Sequence, residues 1–502
     1  MKKQNRFAAW ILLASLALMG FPGCGEGQGA ASGGNSGGVS EAVPSADAAG
    51  TENAPAETEE QPFSTLPDVK LGGLTVNTLI REEQKQEFDT ELDGDVMDDE
   101  VYARRRAVEE RFDVSLTYAV EPGSWSFKDG YQNIIRGTVL GGDSTYDIVT
   151  GQSNIVQPLN VEGLFANLLD AQYIDLTKPW WVEAYTNGVN LNGSVMTVCG
   201  DCALSSFSNA NVIFFNKSVM DDRSIAYPYD DALEGKWTLD KMLSLSESVT
   251  ADLDGDGKIS LDDLHGLCAY NNSIQPFFSA CGLAYTEENE DGIRVLLTPS
   301  ERLLDAADRL NAFCRTDSFI DSNSAYQMTG VNTEPAMHEH FKEGKYLFMG
   351  LVLEGIEALR DMEVDFGILP YPKYDEEQSR YYTTILRRYT VSAVPISASS
   401  ADNSALILEA LSSEGYRSVI PRYYEIALKG KYVRDESSSQ VLDLIKDSLY
   451  LEFVDLYYND LGFSDFFAGY VMTAAEGTYM SQFQSNQKVW AKKLETLYKA
   501  YE

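Results

Sequence analysis

The stretch Asn211-Val212-Ile213-Phe214-Phe215-Asn216-Lys217 carries a strand-like run from which the fold class can be predicted. β-Branched and aromatic residues fill its centre, which indicates a buried strand. On either side along the chain, similar runs alternate with amphipathic helical stretches. The predicted elements before it are strands at Leu74–Ile80, Val114–Tyr118 and Tyr146–Gly151, and helices at Glu100–Phe112 and Tyr131–Leu140. This alternation predicts an α/β fold in which helices cover a sheet.

The N-terminus has the pattern of a secretory signal. Lys2, Lys3 and Arg6 precede an apolar run from Phe7 to Gly20. A helix that spans a membrane needs roughly 20 apolar residues, so this shorter run favours a signal peptide. It ends in Phe21-Pro22-Gly23-Cys24, which resembles the lipobox of bacterial lipoproteins. We therefore predict a signal peptide over residues 1–24 and lipidation of Cys24.

Residues 25–67 are rich in Gly, Ser, Ala, Pro and Glu and contain almost no large apolar residue. Such a composition cannot bury enough surface to offset the entropy of ordering, so this segment is predicted to be a disordered tether. A flexible linker of about 40 residues has a root-mean-square span of about 35 Å. The chain that follows is long enough for two compact lobes.

Charge and cysteine content exclude several classes of protein. The formal net charge is −38, which argues against nucleic acid and against a domain that lies on anionic lipid. Beyond Cys24 there are five cysteines, an odd number that predicts at least one free thiol. Cys199-Gly200-Asp201-Cys202 is interpreted as a hairpin turn between strands at Asn192–Val198 and Asn211–Lys217, with a redox or metal motif as the alternative.

Several ordered segments resemble the extracellular solute-binding proteins of sugar-type ABC importers, family 1. They cover most of the chain from Leu74 to Val394. The segments are YDIVTG from Tyr146, NGSVMTVCGD from Asn192, NVIFFNKSVM from Asn211, GKWTLDKMLSLSESV from Gly235, FKEGKYLFMG from Phe341, and DFGILPYPKYDEEQSRYYT from Asp365. The resemblance implies a two-lobed periplasmic-binding-protein-like fold of type II. Its lobes are joined by crossing strands and close around a ligand.

Mapping these segments onto the chain implies the domain boundaries. Lobe one is expected to comprise residues 68–206 and 388–455, and lobe two residues 207–387. Residues 456–502 are expected to form C-terminal helices that pack on the lobes. The implied function is a monomeric, lipid-anchored component on the outer face of the cell membrane, which binds a sugar or oligosaccharide and delivers it to permease subunits. The alternatives are a binder of oligopeptides or other solutes and a surface polysaccharide-binding or adhesion lipoprotein without a transporter.

The segment Asp252–Asp263 matches an EF-hand calcium loop. Carboxylates stand at positions 1, 3, 5 and 12, and glycine stands at position 6, where the loop turns sharply. The predicted ligands are Asp252, Asp254, Asp256, the Lys258 carbonyl and Asp263. The chain has one such loop and Asp replaces the usual Glu at position 12, so we predict a structural Ca²⁺ ion and no calcium signalling. No other cofactor is expected.

Candidate ligand contacts follow from position in the implied fold. Gln152 and Ser153, for example, follow a predicted strand, and open α/β sheets bind ligands at such strand ends. The full set of predicted contacts is Gln152, Ser153, Asn209, Asn271, Asn272, Glu354, Arg388 and Tyr389. Helix caps, turn residues and inter-lobe ion pairs are the alternative interpretations of these positions. Aromatic rings are further candidates because sugars stack on them, and they include Trp125, Trp180, Trp181, Trp237, Tyr270, Tyr371 and Tyr374.

The sequence argues against an enzyme. Its three histidines are His265, His338 and His340, and it contains neither a GxSxG nor an HExxH pattern. His338 and His340 are two residues apart in a predicted helix and therefore point away from each other. The alternative is a glycosidase with a pair of catalytic carboxylates, which composition cannot exclude because the chain has 77 acidic residues.

Overall fold

The computed structural model describes residues 66–322, 333–359, 362, 365–425 and 436–501, without the side chains of Asn271, Thr333 and Glu334. The signal peptide, Cys24 and nearly all of the tether lie outside these residues. The strands are β1 (Leu74–Arg81), β2 (Val114–Glu121), β3 (Ile148–Gln152), β4 (Thr197–Val198), β5 (Asn211–Asn216), β6 (His265–Ala269), β7 (Thr286–Glu288), β8 (Arg294–Leu296), β9 (Phe319–Asp321), β10 (Tyr346–Val352), β11 (Phe366–Leu369), β12 (Thr383–Thr384), β13 (Thr390–Ala393) and β14 (Leu449–Tyr450).

α-Helices alternate with these strands along most of the described chain. They are α1 (Val96–Phe112), α2 (Lys128–Leu140), α3 (Ser153–Val156), α4 (Glu183–Val189), α5 (Ser205–Ser208), α6 (Lys217–Asp222), α7 (Tyr229–Leu233), α8 (Leu239–Val249), α9 (Asn271–Ile274), α10 (Pro276–Ala280), α11 (Glu301–Phe313), α12 (Thr333–Lys342), α13 (Ala401–Glu414), α14 (Ile420–Arg422), α15 (Glu436–Asp447), α16 (Phe453–Leu456), α17 (Tyr458–Leu461), α18 (Phe466–Thr473) and α19 (Tyr479–Lys499). No helix among the described residues is long and apolar enough to span a membrane.

Lobe one is built on a five-stranded sheet with the order β2-β1-β3-β13-β4. β1 runs parallel to β2 and β3, and β13 runs antiparallel to β3 and β4. The edge strand β2 begins with alternating buried and exposed residues, because only one of its faces meets the core. By contrast, all five residues of the inner strand β3 are buried. The carboxyl end of β3 therefore emerges from the centre of the sheet.

Lobe two is built on a second five-stranded sheet with the order β11-β5-β10-β6-β9. Every residue of β5 and β10 is buried, as expected of central strands that are covered by helices on both faces. The Asn216 side chain ends β5 and caps α6 by accepting hydrogen bonds from the backbone N–H groups of Ser218 (3.1 Å) and Val219 (3.3 Å). The predicted α/β class with two lobes is confirmed.

The hairpin predicted at Gly200-Asp201 is wrong. β4 is limited to Thr197–Val198 and lies beside β13 in lobe one, whereas β5 belongs to lobe two. Gly200 instead forms a bridge with Trp181, and a Cβ atom at Gly200 would lie 2.6 Å from the Trp180 carbonyl oxygen. Turn composition predicted a reversal here, but the chain is leaving one lobe for the other.

Neighbouring segments of chain connect the two lobes. Ala210 forms a bridge with Ile385, and the N–H of Leu386 donates to the Asn209 carbonyl (2.8 Å). Next to them, β12 pairs in parallel with β14, so a third segment follows the same path. These residues define what we call the crossing: 209–211, 383–390 and 448–450.

The C-terminal elements contact both lobes. The Asn311 amide on α11 of lobe two donates to the carbonyls of Tyr470 (2.9 Å) and Val471 (3.2 Å) on α18. Toward lobe one, the Tyr457 hydroxyl donates to the Val189 carbonyl at the end of α4 (3.4 Å). The boundaries drawn from the sequence assigned 388–455 to lobe one, whereas α15, within that range, packs against α7 and β11 of lobe two.

The five cysteines of the described chain are all free thiols. Cys199, Cys202, Cys268 and Cys281 are buried, and Cys314 is half-buried. Burial raises the pKa of each thiol, for Cys281 to about 12. Cys199 and Cys202 are thus part of the lobe-one core and do not form a disulfide.

Candidate functional site

The crossing brings together side chains from both lobes. Arg388, on the returning segment, donates from Nε to Asn209 Oδ1 (2.6 Å) and from a terminal nitrogen to Glu354 Oε2 of lobe two (3.3 Å). The side chains of Arg388 and Glu354 are each about one-third exposed, at 33% and 34%. The predicted residues Asn209, Glu354 and Arg388 therefore form one cluster, in which a charged pair keeps access to solvent.

Asn209 has a supporting position in this cluster. It is fully buried, and its amide donates to the Ser205 carbonyl (3.2 Å) while its oxygen accepts from Arg388. Its hydrogen-bonding groups are thus used within the protein. Asn209 orients the Arg388 guanidinium toward Glu354. Because its side chain has no accessible surface, its position does not support the prediction that Asn209 contacts the ligand directly.

The predicted lobe-one contacts lie where β3 meets the crossing. Ser153 Oγ donates to the Arg387 carbonyl (2.6 Å), and the Ser153 N–H donates to the Tyr389 carbonyl (2.9 Å). Gln152 is also buried, and its amide donates to Asn154 Oδ1 (2.7 Å). These contacts fasten the carboxyl end of β3 to the crossing.

Tyr389 is turned into the lobe-one core. It is 2% exposed and packs edge-on against Tyr185, with ring centroids 6.0 Å apart. The prediction that Tyr389 contacts ligand is therefore not supported by its position. Position in the sequence indicated the crossing correctly, but the ring packs into the core just before β13, whose four residues are all buried.

The predicted lobe-two contacts follow β6. Asn272 is half-buried in α9, and the side chain of Asn271 lies outside the described residues. Ser273, the next residue, donates from Oγ to the Gly350 carbonyl (2.7 Å), and its own carbonyl accepts from the Tyr371 hydroxyl (2.8 Å). These hydrogen bonds hold α9 next to β10, the strand that leads to Glu354.

Among the aromatic candidates, Trp125 differs from the others because 42% of it is exposed. Its ring meets Tyr458 edge-on at 6.2 Å between centroids, and the Lys128 ammonium lies 4.2 Å from its centroid. Trp180, Trp181, Trp237 and Tyr371 are buried core residues. Trp125 thus offers an accessible indole face on the lobe-one side.

Arg387 ties this aromatic pair to the crossing. Its guanidinium donates to Asp455 (2.9 Å), Asp465 (2.8 Å) and Ser464 (2.9 Å) and lies 4.0 Å from the Tyr458 ring centroid. From the sequence, Arg387 is a candidate to clamp a carboxylate or to stack under a ring, with inter-lobe ion pairing as the alternative, but its partners are not predicted. Those partners lie 68 to 78 residues further along the chain, and no local pattern joins them.

A second guanidinium lies close to Arg388. Arg81, at the end of β1, is 4% exposed and donates to Thr390 Oγ1 (3.0 Å). Burial lowers the pKa of Arg81, and the charge of Arg388 contributes to that lowering. Arg81 also interacts with the carboxylates of Glu87 and Glu83, and Arg388 pairs with Glu354, so charges of both signs lie at the base of the inter-lobe region.

The Asp-rich loop folds back on itself through its carboxylates. Asp252 accepts from the N–H groups of Gly255 (2.6 Å) and Gly257 (2.7 Å), which lower its pKa. Carboxylate oxygens of Asp252, Asp254 and Asp256 lie within 4.8 Å of one another. A cation with Ca²⁺–O distances of about 2.4 Å can bridge oxygens at that separation, so the three carboxylates fit the predicted ion.

Asp263 has a different position from that predicted for a calcium ligand. It is buried, and its two oxygens accept from the N–H groups of Leu253 (2.8 Å) and Ser260 (2.7 Å), which lower its pKa. Asp263 therefore closes the loop and lies outside the group of three carboxylates. The Lys258 carbonyl stays a predicted ligand.

Comparisons with known proteins identify the fold. No protein-family model matches the chain, and no curated protein matches it. Solved structures do match. A sugar transporter protein from Rhizobium etli in an open conformation has a TM-score of 0.57 at 13% identity, covering 84% of this chain and 99% of its own.

Two further structures are similar. The maltose/maltodextrin-binding domain MalE from Bdellovibrio bacteriovorus bound to maltotriose has a TM-score of 0.52 at 14% identity, covering 84% of this chain and 100% of its own. Apo RafE from Streptococcus pneumoniae has a TM-score of 0.54 at 13% identity, and the match covers 84% of this chain and 98% of RafE. The chain therefore has the two-lobed fold of solute-binding proteins, as the resemblance implied.

Proposed function

We propose that this chain is the extracellular substrate-binding component of an ABC importer, which binds a sugar or oligosaccharide between its lobes and delivers it to the permease. The observation that carries the proposal is the crossing, where Arg388 and Glu354 from different parts of the two lobes meet in a partly exposed pair. A ligand that hydrogen-bonds both side chains would favour one relative position of the lobes over others.

The chemistry of the cluster suits a polyhydroxylated ligand. Arg388 supplies donors and Glu354 supplies acceptors, which together match hydroxyl groups that can both donate and accept. The exposed indole of Trp125 supplies a flat apolar face for the C–H surface of a sugar ring. The similar structures from Bdellovibrio and Rhizobium, named as maltotriose-bound and as a sugar transporter, support the same class of ligand.

The proposal includes anchoring through Cys24 on the outer face of the membrane. Its support is the apolar run before Cys24, which resembles a lipoprotein signal. Expression of the full chain in a bacterial host with a radiolabelled fatty acid should label the wild type and leave Cys24→Ala unlabelled. Equal labelling of both proteins would contradict this part of the proposal.

The proposal also includes a structural Ca²⁺ ion, held by Asp252, Asp254 and Asp256, with the Lys258 carbonyl as a further ligand. Its support is the convergence of three carboxylates in a loop with EF-hand spacing. An extracellular protein meets calcium at concentrations that fill even weak sites, since extracellular modules bind it with dissociation constants of about 10⁻⁴–10⁻³ M. The ion would hold a surface turn of lobe two.

Calorimetric titration of the purified chain with maltotriose, maltotetraose, a tripeptide and a soluble polysaccharide tests the function. Small-angle scattering should accompany it. We expect saturable binding of an oligosaccharide together with a smaller radius of gyration, because the ligand draws the lobes together. Binding of the tripeptide alone would instead support a peptide importer. Polysaccharide binding without compaction would support an adhesion protein.

A further inference from the structure

A cavity lies beside the crossing and contains none of the predicted polar ligand contacts, although the aromatic candidate Trp181 lines it. Its volume is about 310 Å³. One wall comes from lobe one, through Trp181 and the segment from Asp201 to Phe207. The other walls come from the end of α13 onward, where a π-helical turn spans Gly415–Val419, and from the junction of α15 with β14. Single π-turns within α-helices are rare and often mark functional sites.

Aromatic and aliphatic side chains form most of this cavity. Trp181, Phe207 and Tyr416 contribute rings, and Ile420 and Pro421 contribute aliphatic surface. Trp181 and Phe207 are each 4% exposed and fixed in the core, with the Trp181 indole donating to Glu409 (2.9 Å). The rings are therefore preorganised around an open space.

Two acidic residues line this cavity, the exposed Asp447 and the more buried Asp201. Asp201 lines the cavity and is half-buried, and no described residue donates a hydrogen bond to its carboxylate. Its position is set by the backbone, because the Asp201 N–H donates to the Trp180 carbonyl (2.9 Å) and Gly415 approaches the Asp201 carbonyl so closely that a Cβ atom would clash. Burial removes part of the water around this carboxylate, so a nearby positive charge would stabilise it.

The chain supplies only a distant counter-charge. Lys446 also lines the cavity, but it is exposed and no described carboxylate lies within 4.0 Å of its ammonium. Its nitrogen lies 5.5 Å from the Tyr424 ring centroid. Burial raises the pKa of Asp201 to about 7 despite the attraction of Lys446, so this lysine does not offset the burial of the carboxylate.

We infer that this cavity binds a small organic ammonium ion, with its charge beside Asp201 and its alkyl groups against Trp181, Phe207 and Tyr416. Aromatic faces attract cations through their quadrupole, and the attraction strengthens as the cation loses water. An organic ammonium ion sheds water readily, and its alkyl groups make apolar contacts with these walls that Na⁺ or K⁺ cannot make. The inference does not depend on which solute binds between the lobes.

Choline and its uncharged carbon isostere 3,3-dimethyl-1-butanol are the matched probes, used with the full folded chain in calorimetric titration. We expect saturable choline binding and at least about tenfold weaker binding of the isostere, because only choline carries the charge. Asp201→Asn keeps the shape of the side chain and should weaken choline binding by about tenfold or more. Lys446→Ala should strengthen it, because the competing cation is gone.

Thermal unfolding without probe serves as the folding control for each variant, and Tyr416→Leu provides a second loss-of-site variant if Asp201→Asn unfolds. Equal binding of choline and the isostere would overturn the inference. So would unchanged choline binding by Asp201→Asn, or the absence of saturable binding by both wild type and Lys446→Ala up to about 50 mM choline, a limit beyond the millimolar range of weak specific sites.

Discussion

Trp125 is the one aromatic candidate whose position combines exposure with a connection to the crossing. It follows β2 in a short 3-10 turn, Trp125–Phe127, and is held edge-on by Tyr458. Tyr458 is in turn covered by the Arg387 guanidinium. The indole is therefore held by Tyr458 and by the Lys128 ammonium while 42% of the residue stays exposed, so a ligand that contacts it orders little further side-chain motion.

Replacing this ring tests its role directly. Trp125→Ala should weaken binding of the oligosaccharide found by titration at least about tenfold, since ring stacking and area burial contribute about 1.5 kcal/mol or more. Phe127→Ala is the matched control, because Phe127 lies in the same turn and is 55% exposed. It should change affinity by less than about twofold. Equal losses in both variants would show a general effect of the turn and not stacking on Trp125.

At the scale of elements, a side chain of α11 supports the end of α18. The buried Asn311 amide donates to the carbonyls of Tyr470, Val471 and Ala474. Tyr470 also accepts from the Ala474 N–H, and Ala474 also accepts from Arg315, so among the described residues the Val471 carbonyl depends on Asn311. Asn311→Leu removes this donor and should lower the free energy of unfolding by about 1–3 kcal/mol, because the buried Val471 carbonyl loses its partner.

Urea unfolding measures the loss, and hydrogen exchange should show it first in α18. Gln487→Ala, an exposed change on α19, should leave stability within about 0.5 kcal/mol of wild type. If Asn311→Leu is as stable as this control, the prediction is wrong and other donors satisfy the carbonyls at the end of α18.

The Asp-rich loop is the second element whose behaviour can be predicted. Addition of about 1 mM CaCl₂ should raise the thermal midpoint relative to EGTA, because an ion that binds only the folded state stabilises it by mass action. Asp254→Asn should reduce this shift. Lys258→Ala should leave it intact, because Lys258 would contribute only its backbone carbonyl. An equal loss in both variants, or no calcium effect in the wild type, would contradict the predicted ion.

Element by element, the sequence predicted best where burial leaves a strong pattern. The continuous apolar run of β5 was identifiable because both faces of the strand are covered. The region of Gly200 was misread because turn composition cannot tell a hairpin from a passage between lobes. The partners of Arg387 were missed for another reason: Asp455 and Asp465 are distant in the sequence and come close to Arg387 only through tertiary packing.

For the candidate site, position in the chain was more informative than residue type. Gln152, Ser153, Asn209, Glu354 and Arg388 all lie at or beside the crossing, as strand ends in an open sheet predict. Which of these side chains stays exposed depends on tertiary packing. The one-third exposure of Arg388 and Glu354 could therefore not be predicted from the sequence.

For the whole molecule, buried carboxyl groups should make stability depend on pH. Burial raises the pKa of Glu409 to about 7 and of Glu452 to about 8. In the unfolded chain these groups ionise near pH 4, so between pH 5.5 and 8 the folded state holds more protons and loses stability as the pH rises. Asp201 and Asp460, with pKa values raised to about 7 and 6, act in the same direction.

Urea unfolding at both pH values tests this. We expect the free energy of unfolding to be lower at pH 8 than at pH 5.5 by about 2 kcal/mol or more. His340 acts in the opposite direction, because burial lowers its pKa in the folded state. Glu452→Gln keeps an acceptor for the N–H of Val454 and should flatten the profile. A profile that rises from pH 5.5 to 8 in the wild type would contradict the prediction.

The burial of the native thiols makes the described part of this chain a convenient object for site-directed spectroscopy. Cys199, Cys202, Cys268, Cys281 and Cys314 are largely hidden and have raised pKa values, so maleimide reagents at neutral pH should leave them nearly untouched. One new cysteine on the exposed surface of each lobe would then take a donor and an acceptor dye without a cysteine-free background. The opening and closing that the proposed function requires could then be tested in single molecules, in a chain whose core is that of the natural protein.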